Sequence, residues 1–379
     1  MRILHSCGSR SWGGLEMQAL TVALELSRRG HDVTFLCPRD STPARMATRD
    51  GVAVRTVPDG KWHYARALKE TTTLLGSENW DVVHTHLSHD LWTLVPAMGL
   101  SRSGARLFLT KHMASGVRKR DPLHVILYRR VDRVFAVSRY IMESVLATCP
   151  VSREDVRLLP NGVSLDRFSP SRHSRQAVRK ELGICQDEHV VGMIGRMTPG
   201  KGHAEFLEAA RLLASSGRRI IFLVVGAASR GEEAYERKIR ALARSLGLEG
   251  GLIFTGFRED TPALLSAMDV LAFPSHEESF GITLLEAMAM HVPVVAARSA
   301  GVLDVVVDGE TGLFFTPGDS KGLADAIACL VSDGELCHRL ANQARRRVED
   351  TFSIDSVVTA LLDEYEAAIR PAVAPVTTV

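Results

Sequence analysis

Two glutamates eight residues apart, on either side of a glycine, give the clearest indication of chemistry in this chain. Glu278 is expected in a loop after an apolar strand, and Glu286 about one turn into the following helix. Gly281 lets the backbone approach a ligand, and the amides of such a helix N-terminus bind an anion without a basic side chain. A carboxylate one turn further repels that anion but accepts hydrogen bonds from a neighbouring diol. A phosphate beside a diol describes a nucleotide, whereas the alternative is a capping Glu278 and a solvated Glu286.

A second candidate segment, residues 195–202, combines glycines with Arg196 and Lys201 between a predicted strand and a predicted helix. At the carboxyl end of a strand in an open α/β sheet, these residue types suit a diphosphate. The arginine forks onto two oxygens, and the lysine acts as a movable point charge. The segment matches neither the Walker pattern nor the G-x-G-x-x-G dinucleotide pattern. The alternative is a solvated basic turn.

A glycine pair, Gly13 and Gly14, joins the first predicted strand to the first predicted helix. Glycines at a helix N-terminus again allow close backbone approach to an anion. A pair of glycines is also what an ordinary turn contains, so this segment alone leaves both interpretations open.

These candidate segments follow strands in a chain where short β-rich runs alternate with amphipathic helices such as residues 15–29, 204–215 and 235–246. Such alternation indicates parallel sheets with right-handed crossovers, and therefore an α/β protein. The pattern pauses in a polar linker at 165–177 and restarts, which predicts domains at 1–165 and 166–351. The predicted strands are 2–7, 32–38, 52–57, 81–86, 106–112, 133–138 and 156–160, then 189–194, 219–226, 252–257, 270–274, 293–297 and 312–316.

Composition excludes several classes of protein. The chain has 379 residues, of which 45% are hydrophobic and 24% are charged. These values exclude a disordered, a collagen-like and a polytopic membrane protein. The six cysteines form no C-x-x-C pair, and the first residues lack the apolar stretch of a signal peptide. We therefore expect reduced thiols and a cytoplasmic protein.

Taken together and in this order, the segments resemble the retaining GT-B glycosyltransferases of family 4, from Met1 to about Ile369. The strongest part runs from Pro274-Ser275 through Glu278, Phe280-Gly281 and Glu286-Ala287 to residues 293–295, with support from 160–168, 195–202 and 308–313. The resemblance implies two Rossmann-like parallel-sheet domains that face each other across a cleft. It also implies that a helix over 352–370 crosses back to the first domain, leaving a flexible tail at 371–379.

Carried over by position, the resemblance assigns Arg196 and Lys201 to the donor diphosphate and Glu278 to the hydroxyls of the transferred sugar. Glu286 resembles the carboxylate that binds the ribose. The amides of three residues are expected around the sugar and the phosphate: Phe280, Gly281 and Ile282.

In the first domain, the resemblance assigns Gly14, beside Gly13, to the diphosphate when the domains close. The family's histidine near the transferred sugar corresponds to His112, although the preceding Lys111 departs from the small or apolar residue often found there. The expected catalytic residues are therefore His112, Glu278, Arg196 and Lys201.

Other histidines are candidate metal ligands. His84, His86 and His89 form a cluster that resembles the family's H-x-H strand end, and His5 is expected in the core. No D-x-D triplet occurs in the chain. Because the family's usual transfer is metal-free, we expect neither a metal nor a cofactor.

The implied function is the retaining transfer of a hexose-type sugar from a nucleoside diphosphate sugar, with UDP or GDP expected, to a glycan or lipid-linked acceptor. Such acceptors include precursors of cell-envelope polysaccharide and lipopolysaccharide. No carboxylate stands out as a covalent nucleophile, so the resemblance implies front-side substitution. The alternatives are a nucleotide-sugar epimerase, a sugar phosphorylase, or a non-catalytic subunit that binds a sugar nucleotide.

Charge is distributed unevenly along the chain. Residues 1–165 hold 23 lysines and arginines against 15 acidic residues, whereas the rest hold 23 against 29. Basic residues at 111–133 flank the apolar stretch 123–128, which suits an anionic membrane surface. We expect peripheral association with the inner face of the cell membrane and no nucleic-acid partner. The alternative is a core-facing helix with solvated basic ends.

Overall fold

Two parallel sheets organise the chain, one in each of two structural units. The computed structural model describes residues 1–60, 63–215, 219–229 and 231–370. The first unit contains residues 1–162 and the segment that starts at Ile354, and the second unit is Val163–Ser353. This arrangement confirms the predicted α/β class with two parallel-sheet, Rossmann-like domains.

The sheet of the first unit has the order β3-β2-β1-β4-β5-β6-β7, and its neighbouring strands are parallel. The strands are β1 (Arg2–Ser6), β2 (Asp32–Pro38), β3 (Ala53–Val57), β4 (Val82–Thr85), β5 (Arg106–Lys111), β6 (Arg133–Ala136) and β7 (Val156–Leu158). The helices between them are α1 (Gly14–Arg28), α2 (Thr42–Arg49), α3 (Tyr64–Ser77), α4 (Leu91–Ser101), α5 (Pro122–Arg129) and α6 (Arg139–Thr148).

The sheet of the second unit has the order β10-β9-β8-β11-β12-β13 and is also parallel. Its strands are β8 (His189–Ile194), β9 (Ile220–Val225), β10 (Leu252–Gly256), β11 (Val270–Phe273), β12 (Val294–Ala297) and β13 (Leu313–Phe315). Its helices are α7 (Arg175–Glu181), α8 (His203–Ala214), α9 (Glu233–Ser245), α10 (Thr261–Ala267), α11 (Ile282–Ala289), α12 (Val302–Val305), α13 (Ser320–Ser332) and α14 (Gly334–Arg347).

The last helix, α15 (Ile354–Ile369), belongs to the first unit, although it follows the second unit in sequence. One face of it packs against α1 and the sheet, where Val358, Leu361 and Tyr365 are buried with Phe108 and Phe135. The apolar positions of this amphipathic helix therefore contribute to the core of the first unit. The predicted tail at 371–379 lies outside the described residues.

The polar linker expected at 165–177 contains regular structure. A short 3-10 helix spans Pro170–Arg172, and α7 begins inside the linker, at Arg175. Ser174 starts α7 because its hydroxyl accepts a hydrogen bond from the Ala177 amide at 3.3 Å. Polar composition alone therefore placed the start of ordered structure in this unit too late.

Strand order fixes where ligands bind in such sheets. The order reverses between β1 and β4 in the first unit and between β8 and β11 in the second. Crevices outside the carboxyl ends of the strands at these points are the usual binding sites of open α/β sheets. The loop after β8 carries Arg196 and Lys201, and the loop after β11 carries Glu278.

Candidate active site

The loops after β8 and β11 lie directly against each other in the second unit. The His276 amide donates a hydrogen bond to the Gly200 carbonyl at 2.9 Å. Gly202 has φ of +79°, and a Cβ atom there would lie 2.2 Å from the Pro274 carbonyl oxygen. Only glycine fits this close approach without displacing backbone. The charged residues of the two loops are therefore held at one end of the sheet.

Lys201 and Glu278 form an ion pair across these two loops. Their Nζ and Oε2 atoms are 2.5 Å apart, and the two side chains are 26% and 19% exposed. Arg196 is exposed, and its guanidinium makes no hydrogen bond or ion pair with the described residues. The structure therefore brings two of the predicted catalytic side chains together, and it leaves a third, Arg196 on the same loop as Lys201, available to an anion.

The N-terminus of α11 lies beside this pair. Gly281 precedes the helix with φ of +93°, which is a left-handed conformation that favours glycine. Within the described part of the chain, the amides of Phe280, Gly281 and Ile282 have no hydrogen-bond acceptor. Phe280 is buried and stacks edge-on against Phe352, which anchors the turn. Donor groups at a helix N-terminus are suited to an anion such as a phosphate.

Glu286 is buried one turn into α11, with 6% of its surface exposed. Burial raises the pKa of its carboxyl to about 7, and the charge of Arg167 acts in the opposite direction. Its side chain forms no hydrogen bond with the described residues. A buried carboxylate without a partner is costly, and hydroxyl donors from a ligand would compensate that cost.

Two glycines that sequence reasoning missed bring further backbone close to these loops. A Cβ atom at Gly226, directly after β9, would lie 1.8 Å from the Gly195 carbonyl oxygen. A Cβ atom at Gly301 would lie 2.0 Å from the Ser279 carbonyl oxygen. In the sequence, each is only a glycine that follows an apolar strand. The carbonyl group that each one approaches is more than 20 residues away, so the sequence does not indicate the close contact.

The glycine pair at the start of α1 has an acidic neighbour that was also missed. The Gly13 amide donates to Glu16 Oε2 at 2.9 Å, and the Ser9 hydroxyl donates to Glu16 Oε1 at 2.5 Å. Gly14 is the first residue of the helix. The expected anion contact at Gly13 therefore has an internal acceptor already, and a phosphate would compete with Glu16 for that amide.

His112 directly follows β5 and is buried. Its Nε2 lies 2.9 Å from Nδ1 of His86, and burial lowers the pKa of His112 to about 3. The neighbouring Lys111 donates to the Ser88 hydroxyl at 2.9 Å, and burial lowers its pKa to about 8. The structure places His112 in a histidine cluster of the first unit and leaves the predicted His89 exposed outside it.

That cluster contains His5, His84 and His86, whose ligand atoms lie within 4.8 Å of one another. A tetrahedral zinc site with Zn–N bonds of about 2 Å would bring its nitrogens to about 3.3 Å apart. His84 already contacts the Tyr365 hydroxyl through Nδ1 at 2.5 Å and the Thr110 hydroxyl through Nε2 at 2.7 Å. A metal would have to displace one of these hydrogen bonds and draw the rings together, so the cluster as it stands fits a hydrogen-bonded network better.

Asp90 connects the ends of β1 and β4 and was not predicted. Its Oδ2 accepts hydrogen bonds from the Ser6 hydroxyl at 3.0 Å, the Gly8 amide at 3.0 Å and the Thr85 hydroxyl at 2.9 Å. Burial raises the pKa of this carboxyl. These bonds fix the loop after β1 at the point where the strand order reverses.

Comparison with known proteins gives matches over nearly the whole chain. The family model described as Glycosyltransferase Family 4 matches residues 12–167, and the model described as Glycosyl transferases group 1 matches residues 174–347. A D-inositol 3-phosphate glycosyltransferase from Saccharomonospora viridis is 29% identical, covering 97% of this chain and 92% of that relative. One from Mycobacterium tuberculosis is 30% identical, covering 96% of this chain and 80% of the relative.

Solved structures share the fold at lower identity. Anabaena Alr3699/HepE in complex with UDP and glucose has a TM-score of 0.83 and 23% identity, covering 97% of this chain and all of that one. A glycosyltransferase from Rickettsia africae has a TM-score of 0.87 and 22% identity, covering 98% and 99% of the two chains. Together with the two family models, these similarities show that the chain belongs to the family 4 glycosyltransferases of the GT-B fold.

Proposed function

We propose that this glycosyltransferase transfers a hexose-type sugar from a nucleoside diphosphate sugar, with retention of configuration and without a metal ion. The observation that carries the proposal is the arrangement of the second unit. The Lys201–Glu278 pair, the amides at the start of α11 and the buried Glu286 lie around the point where the strand order reverses. UDP is the first nucleotide to test, because HepE was solved with UDP and UDP-glucose, and GDP is the second.

The donor is held by groups that match its parts. The α11 amides and Arg196 are suited to the diphosphate, because they combine a helix N-terminus with an exposed cation. Glu286 is suited to the ribose diol as a hydrogen-bond acceptor. Glu278 is suited to the hydroxyls of the sugar, where its pairing with Lys201 orients the carboxylate. No metal or other cofactor has a role in this scheme.

The chemical step exchanges one bond at the anomeric carbon for another. The bond to the β-phosphate oxygen breaks with its electron pair, and a bond to the acceptor hydroxyl oxygen forms on the same face. The hydroxyl proton passes to the leaving phosphate. Arg196, Lys201 and the helix amides stabilise the charge that grows on the phosphate. This electrostatic stabilisation is expected to make the largest single contribution to lowering the activation free energy. His112 is the residue of the first unit that the family resemblance assigns to the transferred sugar, and its role is proposed on that basis alone.

Two acceptor classes compete. The first is a glycan or lipid-linked acceptor, which the family resemblance implies; WaaG, a glycosyltransferase involved in lipopolysaccharide biosynthesis, shares the fold with a TM-score of 0.70. The second is an inositol phosphate, because the relatives above are named D-inositol 3-phosphate glycosyltransferases. The basic first unit suits an inositol phosphate and also an acceptor linked to an anionic lipid, since both of these carry negative charge.

A surface of the first unit supports association with a membrane. Met113, Val117, Leu123 and Ile126 are between 58% and 68% exposed. The basic residues Arg118, Lys119 and Arg120 lie in the same stretch of chain. In α5, Leu127 and Tyr128 are buried, so this helix meets the core with one side and presents apolar side chains on another. None of the described helices is long and apolar enough to cross a bilayer. We therefore propose peripheral docking of a cytoplasmic enzyme at the inner face of the membrane.

A thermal-shift screen against UDP-, GDP-, ADP- and dTDP-sugars tests the donor. A ligand at 100 times its dissociation constant adds about 2.7 kcal/mol of stability. We expect the UDP- or GDP-sugar to give the largest shift in the wild type and a smaller one in Glu286→Gln. Incubation of that donor with D-inositol 3-phosphate or with membrane lipid then identifies the acceptor. Epimerised donor without any acceptor, or no shift with any sugar nucleotide, would contradict the proposal.

A further inference from the structure

Three histidines on neighbouring strands form a continuous hydrogen-bonded chain inside the first unit. Nδ1 of His5 lies 3.1 Å from Nε2 of His86, and Nδ1 of His86 lies 2.9 Å from Nε2 of His112. They belong to β1 and to the ends of β4 and β5, which are neighbours in the sheet. All three residues are buried. This histidine chain therefore connects the centre of the sheet to His112, the residue assigned to the transferred sugar.

The histidine chain, which consists of His5, His86 and His112, is neutral at physiological pH. Burial lowers the pKa of His5 and of His112 to about 3 and the pKa of His86 well below its ordinary value. A neutral imidazole carries one proton, so one of its nitrogens donates a hydrogen bond and the other accepts one. Each contact between two rings therefore needs one donor and one acceptor.

This requirement links the three rings. If His5 carries its proton on Nδ1, it donates to Nε2 of His86, whose own proton must then lie on Nδ1. His86 in turn donates to Nε2 of His112, which leaves the proton of His112 on Nδ1. If His5 carries its proton on Nε2, every direction reverses and all three protons lie on Nε2. Mixed tautomers would leave one contact with two donors or with two acceptors.

We propose that His5, His86 and His112 share one tautomer, and that His5 is a positioning residue that fixes which nitrogen of His112 carries the proton. The consequence for transfer rests on the proposed function of His112. With the protons on Nδ1, His112 offers an N–H group beyond the chain, and with the protons on Nε2 it offers a lone pair. These two states would make opposite hydrogen bonds with a water in the adjoining cavity, and through that water with a sugar hydroxyl.

The two ends of the chain are where such a choice can act. Among the described residues, neither His112 Nδ1 nor His5 Nε2 has a partner at hydrogen-bond distance and angle, although the Asn161 side chain interacts with His112 and acts to raise its pKa. The His112 end borders a small cavity of about 20 Å³, which is roughly the room that one water needs. Gln18, His86 and Asn161 are among the polar residues that line it. A group that binds at the His112 end therefore also affects the tautomer of His5, two rings away.

His84 offers a matched control in the same cluster. It is equally buried and stacks on His86 with ring centroids 4.7 Å apart. Its nitrogens contact the hydroxyls of Tyr365 and Thr110, and a hydroxyl can either donate or accept. The hydrogen bonds of His84 therefore impose no tautomer on the other three histidines.

Long-range ¹H–¹⁵N correlation spectra of protein labelled with [¹⁵N]histidine test the shared tautomer in the wild type. Single substitutions assign the signals. We expect neutral rings for His5, His86 and His112, all protonated on the same nitrogen. A mixture of tautomers among the three, or a protonated ring at pH 7, would overturn the proposal. This measurement does not depend on any substrate.

The positioning role is tested with His5→Phe, which keeps an aromatic ring but removes the partner of His86. We expect the His112 nitrogen shifts to change in this variant, although the substitution lies two rings away. His5→Asn places an amide near the position of the lost Nδ1 and should restore them. His84→Phe should leave the His112 tautomer unchanged. Unchanged His112 shifts in a folded His5→Phe protein would refute the role of His5.

Activity separates this inference from the proposed function. With UDP-glucose as the probe donor, or a GDP-sugar if that one binds, we expect His5→Phe to lower kcat about tenfold. The donor KM should stay within about twofold, because the side chains proposed to hold the nucleotide and to pair at the sugar, among them Lys201, Glu278 and Glu286, lie in the second unit. If the wild type transfers no sugar but the three histidines share one tautomer, the proposed function is wrong and the shared tautomer is still confirmed. If the purified protein contains one zinc ion per molecule and His5→Phe loses it, the proposal of a neutral, hydrogen-bonded histidine chain would be overturned.

Discussion

The Nζ atom of Lys201 lies 2.5 Å from Oε2 of Glu278, so a cation and a carboxylate from two different loops share one position at the end of the second sheet. The cation is suited to the donor diphosphate, and the carboxylate is suited to the sugar. In their paired state each partly neutralises the other. Donor binding therefore has to separate the two side chains, so that Lys201 contacts the diphosphate and Glu278 contacts the sugar.

That relationship predicts different outcomes for the two substitutions. Glu278→Ala should lower kcat by about 30- to 1000-fold, corresponding to about 2–4 kcal/mol of transition-state stabilisation. The same change should preserve or improve the affinity for free UDP, because Lys201 loses its internal partner. Lys201→Ala should weaken both UDP binding and turnover. Steady-state kinetics and calorimetric titration with UDP measure these effects.

Glu277→Ala is the matched control, since Glu277 precedes Glu278 in the same loop and is exposed. It should leave kcat within about twofold of the wild type. Turnover within twofold of the wild type in Glu278→Ala would remove this residue from the active site.

The burial of Glu286 predicts a pH dependence of donor binding. Its pKa is raised to about 7, so its carboxyl gains a proton as the pH falls through that value. Protonation removes the charge that favours the two ribose hydroxyl donors. The donor KM should therefore rise as the pH is lowered from 8 to 6, and it should be raised and nearly independent of pH in Glu286→Gln. An identical pH profile of KM in both proteins would contradict the ribose assignment.

The same residue predicts a pH dependence of folding. The pKa of Glu286 is about 7 in the folded protein and 4.5 ordinarily, so the folded state binds more protons between these values. Stability should be greatest below about 4.5 for this group and should be lost as the pH rises through about 7, by about 3 kcal/mol. Glu286→Gln should remove this loss and be more stable than the wild type at pH 8. Urea unfolding at pH 6 and pH 8 should show about 1.3 kcal/mol of this loss in the wild type and none of it in Glu286→Gln, with Glu277→Gln as the control.

The candidate site residues that could be predicted from the sequence are those whose placement is local. Arg196, Lys201 and Glu278 follow a strand, and Glu286 lies one turn into a helix, so the placement of each depends on the adjacent element. The two-domain α/β fold was also predictable, because the strands leave short apolar runs and the clearest helices leave an amphipathic pattern between them.

Other parts of the site depend on strand order and on contacts between distant loops. Asp90 bonds to Gly8, 82 residues away, and Gly226 approaches Gly195 across two neighbouring strands. The histidine chain exists because β1, β4 and β5 lie side by side, which the sequence pattern does not specify. Glu16 was missed because an acidic residue in the first turn of a helix is common.

Helix α15 predicts a strong effect of the chain terminus on the stability of the first unit. Tyr365 is fully buried, and its hydroxyl lies 2.5 Å from His84 Nδ1. Tyr365→Phe should cost about 1–3 kcal/mol, because it leaves a buried imidazole nitrogen without this partner. Deletion of residues 352–379 should lower the Tm much further, whereas deletion of residues 371–379 serves as the control. Equal melting temperatures for the full chain and the longer deletion would contradict the role of α15.

The exposed apolar residues of α5 predict membrane binding that depends on lipid charge. Leu123 and Ile126 are 58% and 59% exposed, and Arg118 and Arg120 precede them in the chain. Each cation near an anionic surface contributes about 1 kcal/mol, and the apolar side chains add burial in the interface. The protein should therefore sediment with anionic liposomes at low salt and less at high salt, and Leu123→Asn with Ile126→Asn should reduce binding at both. Phe257→Asn is the control, because Phe257 is 64% exposed but lies in the second unit. Equal binding to neutral and anionic vesicles, or equal losses in both variants, would show that α5 is not the docking surface.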